Sequence, residues 1–259
     1  MTRLGPASAP ASVVYVHGML SDARYWAPLV DHLHARLDGA ITQIVYDQRG
    51  HGGSRRSAGG VGMGLAVFVE DLDAVVAHAP GAVVLVAHSV AISLVTAWVE
   101  RYPQRARALA GLVLFNGCPD FPPRLPSVMS TGRATRRRFR RRAQRAVELL
   151  SSGIADPVAC EADLDVALDV LAAYGRLRLT EDAVGTLRTI PTWVLAGRGD
   201  PVVAAGSAER FAEQIWADYD SVPEAGHSLP YVNPVRAAEP VLAALEVAYR
   251  TQRQDGGPW

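Results

Sequence analysis

The sequence predicts an α/β fold: a mostly parallel sheet flanked by helices, with a helical insertion after the strand that ends near Phe115. Short apolar runs alternate with helical patterns through the first half, which is the order a parallel sheet with right-handed crossovers requires. Residues 83–86 (VVLV) are continuously apolar, as a strand covered on both faces must be. The alternation stops at Pro119 and resumes at Thr192, and the stretch between them has helical character.

Residues 12–16 (SVVYV) form the first clear strand, ending at His17-Gly18. A helix is expected over 22–37, where Trp26, Leu29, Val30, Leu33 and Leu37 recur at three- and four-residue spacings. The strand at 41–46 leads into a glycine-rich loop, and a helix follows over 65–78. After the apolar strand come a helix closed by Pro103 and a strand at 110–115. The second half supplies a strand at 192–196, a helix at 205–215, a short strand at 219–222 and a final helix from 234 to 250. These segments divide the chain into a core, 1–118 and 191–259, and an inserted helical cap, 119–190.

Composition narrows the function. The 26 basic residues, all of them arginine, balance 26 acidic ones. A neutral chain lacks the positive field of a general nucleic-acid binder, and a chain without lysine cannot form a Schiff base. Two cysteines, Cys118 and Cys160, are too few for a disulfide framework, so a reducing, cytoplasmic setting is expected. The segment 74–99 has no formal charge and enough length to span a bilayer, but Pro80-Gly81 and five polar residues interrupt it. It is a buried strand between helices, and no transmembrane segment is expected.

At the end of the third clear strand stands Ala87-His88-Ser89-Val90-Ala91. A strand–turn–helix of this kind can project a serine hydroxyl above the sheet, provided that the residues two before and two after it are small. Both are alanine here, where glycine is usual. A serine needs a base and an oriented acid to become a good nucleophile. Gly197-Arg198-Gly199-Asp200 and Gly226-His227-Ser228 each follow a strand, at the sheet edge where open α/β folds place their sites.

The chain resembles the α/β-hydrolase superfamily over nearly its whole length. The resemblance rests on HGMLSD (17–22), YDQRGHGGS (46–54), AHSVA, GRGD and GHS. The order Ser89, Asp200, His227 matches the family's nucleophile, acid and base, and implies acyl transfer through an acyl-enzyme with no cofactor and no metal. It also implies an oxyanion hole made by the backbone N–H groups of Met19 and Val90. Asp120, after the strand ending at Phe115, is the alternative acid, because some relatives place it there. Arg49 and His51 belong to a loop whose role in the family is structural. Few residues precede the first clear strand, so the antiparallel hairpin that usually opens this fold is expected to be reduced or missing.

Leu20, Cys118, Phe121, Leu229 and Tyr231, with Met19 and Val90, would give the site an apolar pocket for a small or medium acyl group. The cap contains a run with no acid: Arg133, Arg136, Arg137, Arg138, Arg140, Arg141, Arg142 and Arg145. Most such runs are solvated helix faces, although arginine's planar fork also suits an acidic carrier protein or a coenzyme A phosphate. The expected function is hydrolysis of a carboxylic ester. The alternatives are a thioesterase acting on carrier- or CoA-bound acyl groups, a receptor-like member, and a non-hydrolytic member using the pocket for lyase or cyclase chemistry.

Overall fold

The structure, a computed structural model, describes residues 1–19, 21–54, 64–119 and 177–254. The strands among them are β1 (Thr2–Leu4), β2 (Ala11–Val16), β3 (Thr42–Val45), β4 (Ala82–His88), β5 (Gly111–Phe115), β6 (Thr192–Gly197) and β7 (Asp218–Val222). They form one sheet in the order β1-β3-β2-β4-β5-β6-β7. Only β1 is antiparallel, through Thr2↔Val45 and Leu4↔Gln43; every other pair is parallel. The opening hairpin is thus reduced to a single short antiparallel strand.

The helices are α1 (Ala27–Arg36), α2 (Leu65–Val76), α3 (Ala91–Arg101), α4 (Pro103–Arg107), α5 (Glu181–Leu187), α6 (Ala205–Ile215), α7 (Leu229–Val232) and α8 (Pro234–Gln254). The expected helix at 22–37 is split. Asp22 caps a 3-10 turn, Ala23–Trp26, and Pro28 then opens α1 near its first position, where a missing N–H costs nothing. No described helix is long and apolar enough to cross a membrane.

Alternation along the central strands fills two layers. Val14 and Val16 of β2, Leu85 and Ala87 of β4, and Leu112 and Leu114 of β5 pack on one face with Phe68, Trp98, Leu187 and Phe211. Val13, Tyr15, Val84, Val86, Val113 and Phe115 pack on the other, with Trp26, Leu29, Val241 and Leu245. Both faces are buried, which explains why these strands lack the polar alternation of a half-exposed sheet. Residues 120–176, most of the expected cap, lie outside the described residues. The stretch that follows includes α5, whose Leu187 joins the core and which packs against α3 and α4.

Candidate active site

The carboxyl ends of β2, β4, β5 and β6 and the loop after β7 meet along one sheet edge. Ser89 follows β4 directly and adopts a left-handed backbone, φ +57°. A non-glycine residue in that region carries strain, and such residues concentrate at functional turns. The strain is held from both sides: the Ser89 N–H donates to the Phe115 carbonyl at 2.9 Å, and the Ser89 carbonyl accepts from Ile92 at 3.0 Å. The hydroxyl therefore projects from a fixed turn between β4 and α3. Ala87 and Ala91, the small residues flanking it, are both fully buried.

The structure brings Ser89, His227 and Asp200 together. The Ser89 Oγ lies 2.9 Å from His227 Nε2, and His227 Nδ1 lies 2.8 Å from Asp200 Oδ2. The carboxylate requires a donor on Nδ1, so Nε2 is left as the acceptor for the serine hydroxyl. That is the tautomer a general base needs. Asp200 is saturated with donors: Oδ1 accepts from the Val202 and Val203 amides at 2.7 and 3.0 Å. Oδ2 also accepts from the side chain of Asn116 at 3.0 Å. Burial works to raise the Asp200 pKa, but the hydrogen bonds from His227, Val203 and Asn116 outweigh it and hold the carboxyl below its usual range.

Two loops must approach closely for this pair to form. A Cβ on Gly197 would stand 2.3 Å from the Ala225 carbonyl oxygen, so only glycine lets the β6 exit lie against the loop carrying His227. The Gly199 amide then donates to the Ala225 carbonyl at 3.0 Å and ties the two loops together.

His88 braces the same loop by donating Nε2–H to the His227 carbonyl at 2.8 Å. Burial first, then the neighbouring His227, drives the His88 pKa down to about 3, so the ring is neutral and its Nδ1 carries a lone pair. The ring stacks on Tyr25 with centroids 4.7 Å apart. Behind it, His17 Nε2 accepts from the Gln48 amide at 2.9 Å and its Nδ1–H donates to the Gly18 carbonyl at 2.7 Å. Burial lowers the His17 pKa to about 3 as well. These bonds fasten the turn after β2 to the loop after β3. Arg49 and His51 serve that loop as scaffold: Arg49 is paired with Asp71 at 2.7 Å, and His51 is buried with its ring 5.2 Å from His17.

Met19 stands in the turn after β2 and Val90 in the turn after Ser89, and neither amide donates a hydrogen bond among the described residues. Cys118 is buried and lines a cavity of about 530 Å³ with Pro119, Leu179, Val202, Val203, Ser207, Arg210 and Phe211. Leu229 is wholly buried in the core beside α1, and Tyr231 rests partly buried, 6.0 Å from Tyr25. Leu20, Phe121, the alternative acid Asp120 and the arginine run 133–145 lie outside the described residues. Asn116 escaped the sequence reading. An Asn-Gly pair closing an apolar strand reads as turn chemistry alone, and nothing local points to Asp200, which lies far along the chain.

A profile of the alpha/beta hydrolase family matches residues 13–239. No curated protein sequence gives a significant match. Among solved structures, the chain is similar to a thermophilic esterase from Thermogutta terrifontis with malate bound, at 21% identity and a TM-score of 0.71, covering 95% of this chain and 92% of that one. It is also similar to a carboxylesterase structure from Nitrososphaera gargenis, at 14% identity and a TM-score of 0.73, covering 96% and 94%. The thioesterase domain from the curacin biosynthetic pathway gives 16% identity and a TM-score of 0.64, covering 93% of each chain. At these identities the likenesses speak for the fold alone.

Proposed function

The chain belongs to the alpha/beta hydrolase family, and from that premise we propose that it hydrolyses a small or medium carboxylic ester through an acyl-enzyme on Ser89. The observation that carries this reading is the unbroken relay from Ser89 Oγ through the His227 ring to Asp200, with the serine in its left-handed turn.

In the first half-reaction the Ser89 oxygen attacks the ester carbonyl carbon while His227 Nε2 takes the hydroxyl proton. Asp200 holds the imidazole in register and stabilises its cation. The Met19 and Val90 amides receive the developing oxyanion, and one such donor is typically worth roughly 3–4 kcal/mol. Collapse expels the alcohol, which takes the proton back from His227. Water then attacks the acyl-enzyme by the same steps in reverse order and releases the acid. The acyl group is assigned to the side of Cys118, where Val202, Val203 and Phe211 line the neighbouring cavity together with the polar Ser207, Arg210 and Gln214.

A fluorophosphonate probe should add one label per chain at Ser89, and Ser89→Ala should abolish both labelling and turnover of short p-nitrophenyl esters. Turnover that survives Ser89→Ala would overturn the reading. The second reading, a thioesterase on carrier- or CoA-bound acyl groups, rests on the eight arginines of 133–145. It takes precedence if carrier-bound thioesters are cleaved faster than free esters and neutralising Arg136 to Arg142 removes that advantage.

A further inference from the structure

Asn116 ends β5 in a left-handed backbone, φ +50°, and is 1% exposed. Its own N–H continues the ladder by donating to the Leu195 carbonyl at 3.1 Å, so the backbone is anchored while the side chain turns to the sheet edge. There the side-chain nitrogen lies 3.0 Å from Asp200 Oδ2 and 3.1 Å from the Gly226 carbonyl oxygen. Both partners are pure acceptors. The NH2 end must face them, because the flipped amide would set Oδ1 against a carboxylate. The two N–H bonds thus go to the acid of the relay and to the peptide carbonyl immediately before His227. Asn116 Oδ1 has no partner among the described residues, so the side chain is held through its nitrogen alone.

We propose that Asn116 is a positioning residue of the relay, fixing the Asp200 carboxylate and the backbone of His227 in one register through a single amide group. The proposal rests on the Ser89–His227–Asp200 reading. Oδ2 is shared: it accepts from His227 and from Asn116 together, so the amide takes up part of the charge that would otherwise act on the imidazole. Removing the amide unties the Asp200 carboxylate from the Gly226 carbonyl, so the imidazole between them loses its fixed alignment on Ser89 Oγ. Among the described residues, the other titratable rings near the pair are His88, 4.8 Å from His227, and His17 behind it. Both are kept neutral by burial, and Tyr25 covers His88 from the far side.

The test is the rate of fluorophosphonate labelling at Ser89, read by intact mass, and the hydrolysis of p-nitrophenyl acetate by the native protein, Asn116→Ala and the near-isosteric Asn116→Leu, which cannot donate. The labelling rate should fall in both variants, and kcat should fall roughly 10- to 100-fold while KM changes less than about twofold, as expected when reacting groups are misplaced and substrate contacts are kept. A native kcat in folded Asn116→Leu overturns the proposal; if Asn116→Ala does not fold, Asn116→Leu decides alone. Ser89→Ala separates the two failures. Labelling that survives it sinks the relay itself, whereas loss of labelling in Ser89→Ala with native kcat in the Asn116 variants sinks only this assignment.

Discussion

Gly117 follows Asn116 at the exit of β5, and a Cβ there would stand 2.6 Å from the Ser89 carbonyl oxygen and 2.6 Å from Ile92 Cδ1. Ile92 could swing aside, but the carbonyl belongs to the strained turn itself and can only move by carrying Ser89 with it. Gly117→Ala is therefore expected to cost about 1–3 kcal/mol of stability, as overpacked sites do. It should also lower kcat/KM by roughly 100-fold, because a displacement of about 1 Å in a reacting group is enough for that. Urea unfolding and esterase kinetics on the same preparation check both numbers; full activity in a destabilised variant would show that the turn tolerates the shift. At this scale the sequence disclosed the three residues that the structure brings into one relay and hid the contacts that hold them. Ser89, Asp200 and His227 stand in motifs with local signatures of turn and strand. Asn116 and Gly117 act through contacts with Asp200 and Ser89, and the chain order of those residues says nothing of their proximity.

The elements were legible where burial set their pattern. The expected α6, 205–215, agrees with the helix observed, because its apolar positions Ala208, Phe211, Ala212 and Ile215 repeat at helical spacing. β1 gave no signal: its three residues are all exposed, and only pairing with β3 makes them a strand. β7, with exposed Asp218 and Asp220, shows a weak pattern for the same reason, since it lies at the open edge of the sheet. Between such extremes α3 is the most heavily buried helix that touches the site. Its Trp98 is fully buried against α2 and donates Nε1–H to Asp73 at 3.2 Å, while Arg105 of α4 pairs with the same aspartate. Trp98→Ala should cost about 3–5 kcal/mol in urea unfolding, the usual range for deleting a buried tryptophan. Labelling of Ser89 in the fraction that stays folded should remain near native, because the space left by the indole lies at the far end of α3 from Ser89. A loss under about 1 kcal/mol would mean that the α2–α3 contact collapses around the gap.

At the scale of the whole molecule, the site sits where four parallel strands end, and it carries an unusual density of buried histidine. His17, His51 and His88 all have pKa values lowered first by burial, His17 and His88 to about 3. Unfolding returns each to its ordinary value near 6.5, so between about pH 6.5 and 3 the unfolded chain binds protons that the folded chain refuses. Stability therefore rises with pH across this interval, and what burial of the neutral rings contributes is present above 6.5 and lost as the pH falls. Each histidine that protonates only on unfolding adds a slope of about 1.4 kcal/mol per pH unit. Asp200 works in the same direction at lower pH, because its carboxyl is held below the usual range and must take up a proton on unfolding there. The free energy of urea unfolding, measured from pH 8 to pH 4, should fall with a slope approaching two to three protons. His88→Gln should remove about one of them, since the glutamine amide nitrogen reaches the place of Nε2 and can still donate to the His227 carbonyl without titrating. A flat profile over that range, or a slope unchanged in His88→Gln, would show that these rings already carry protons in the folded protein.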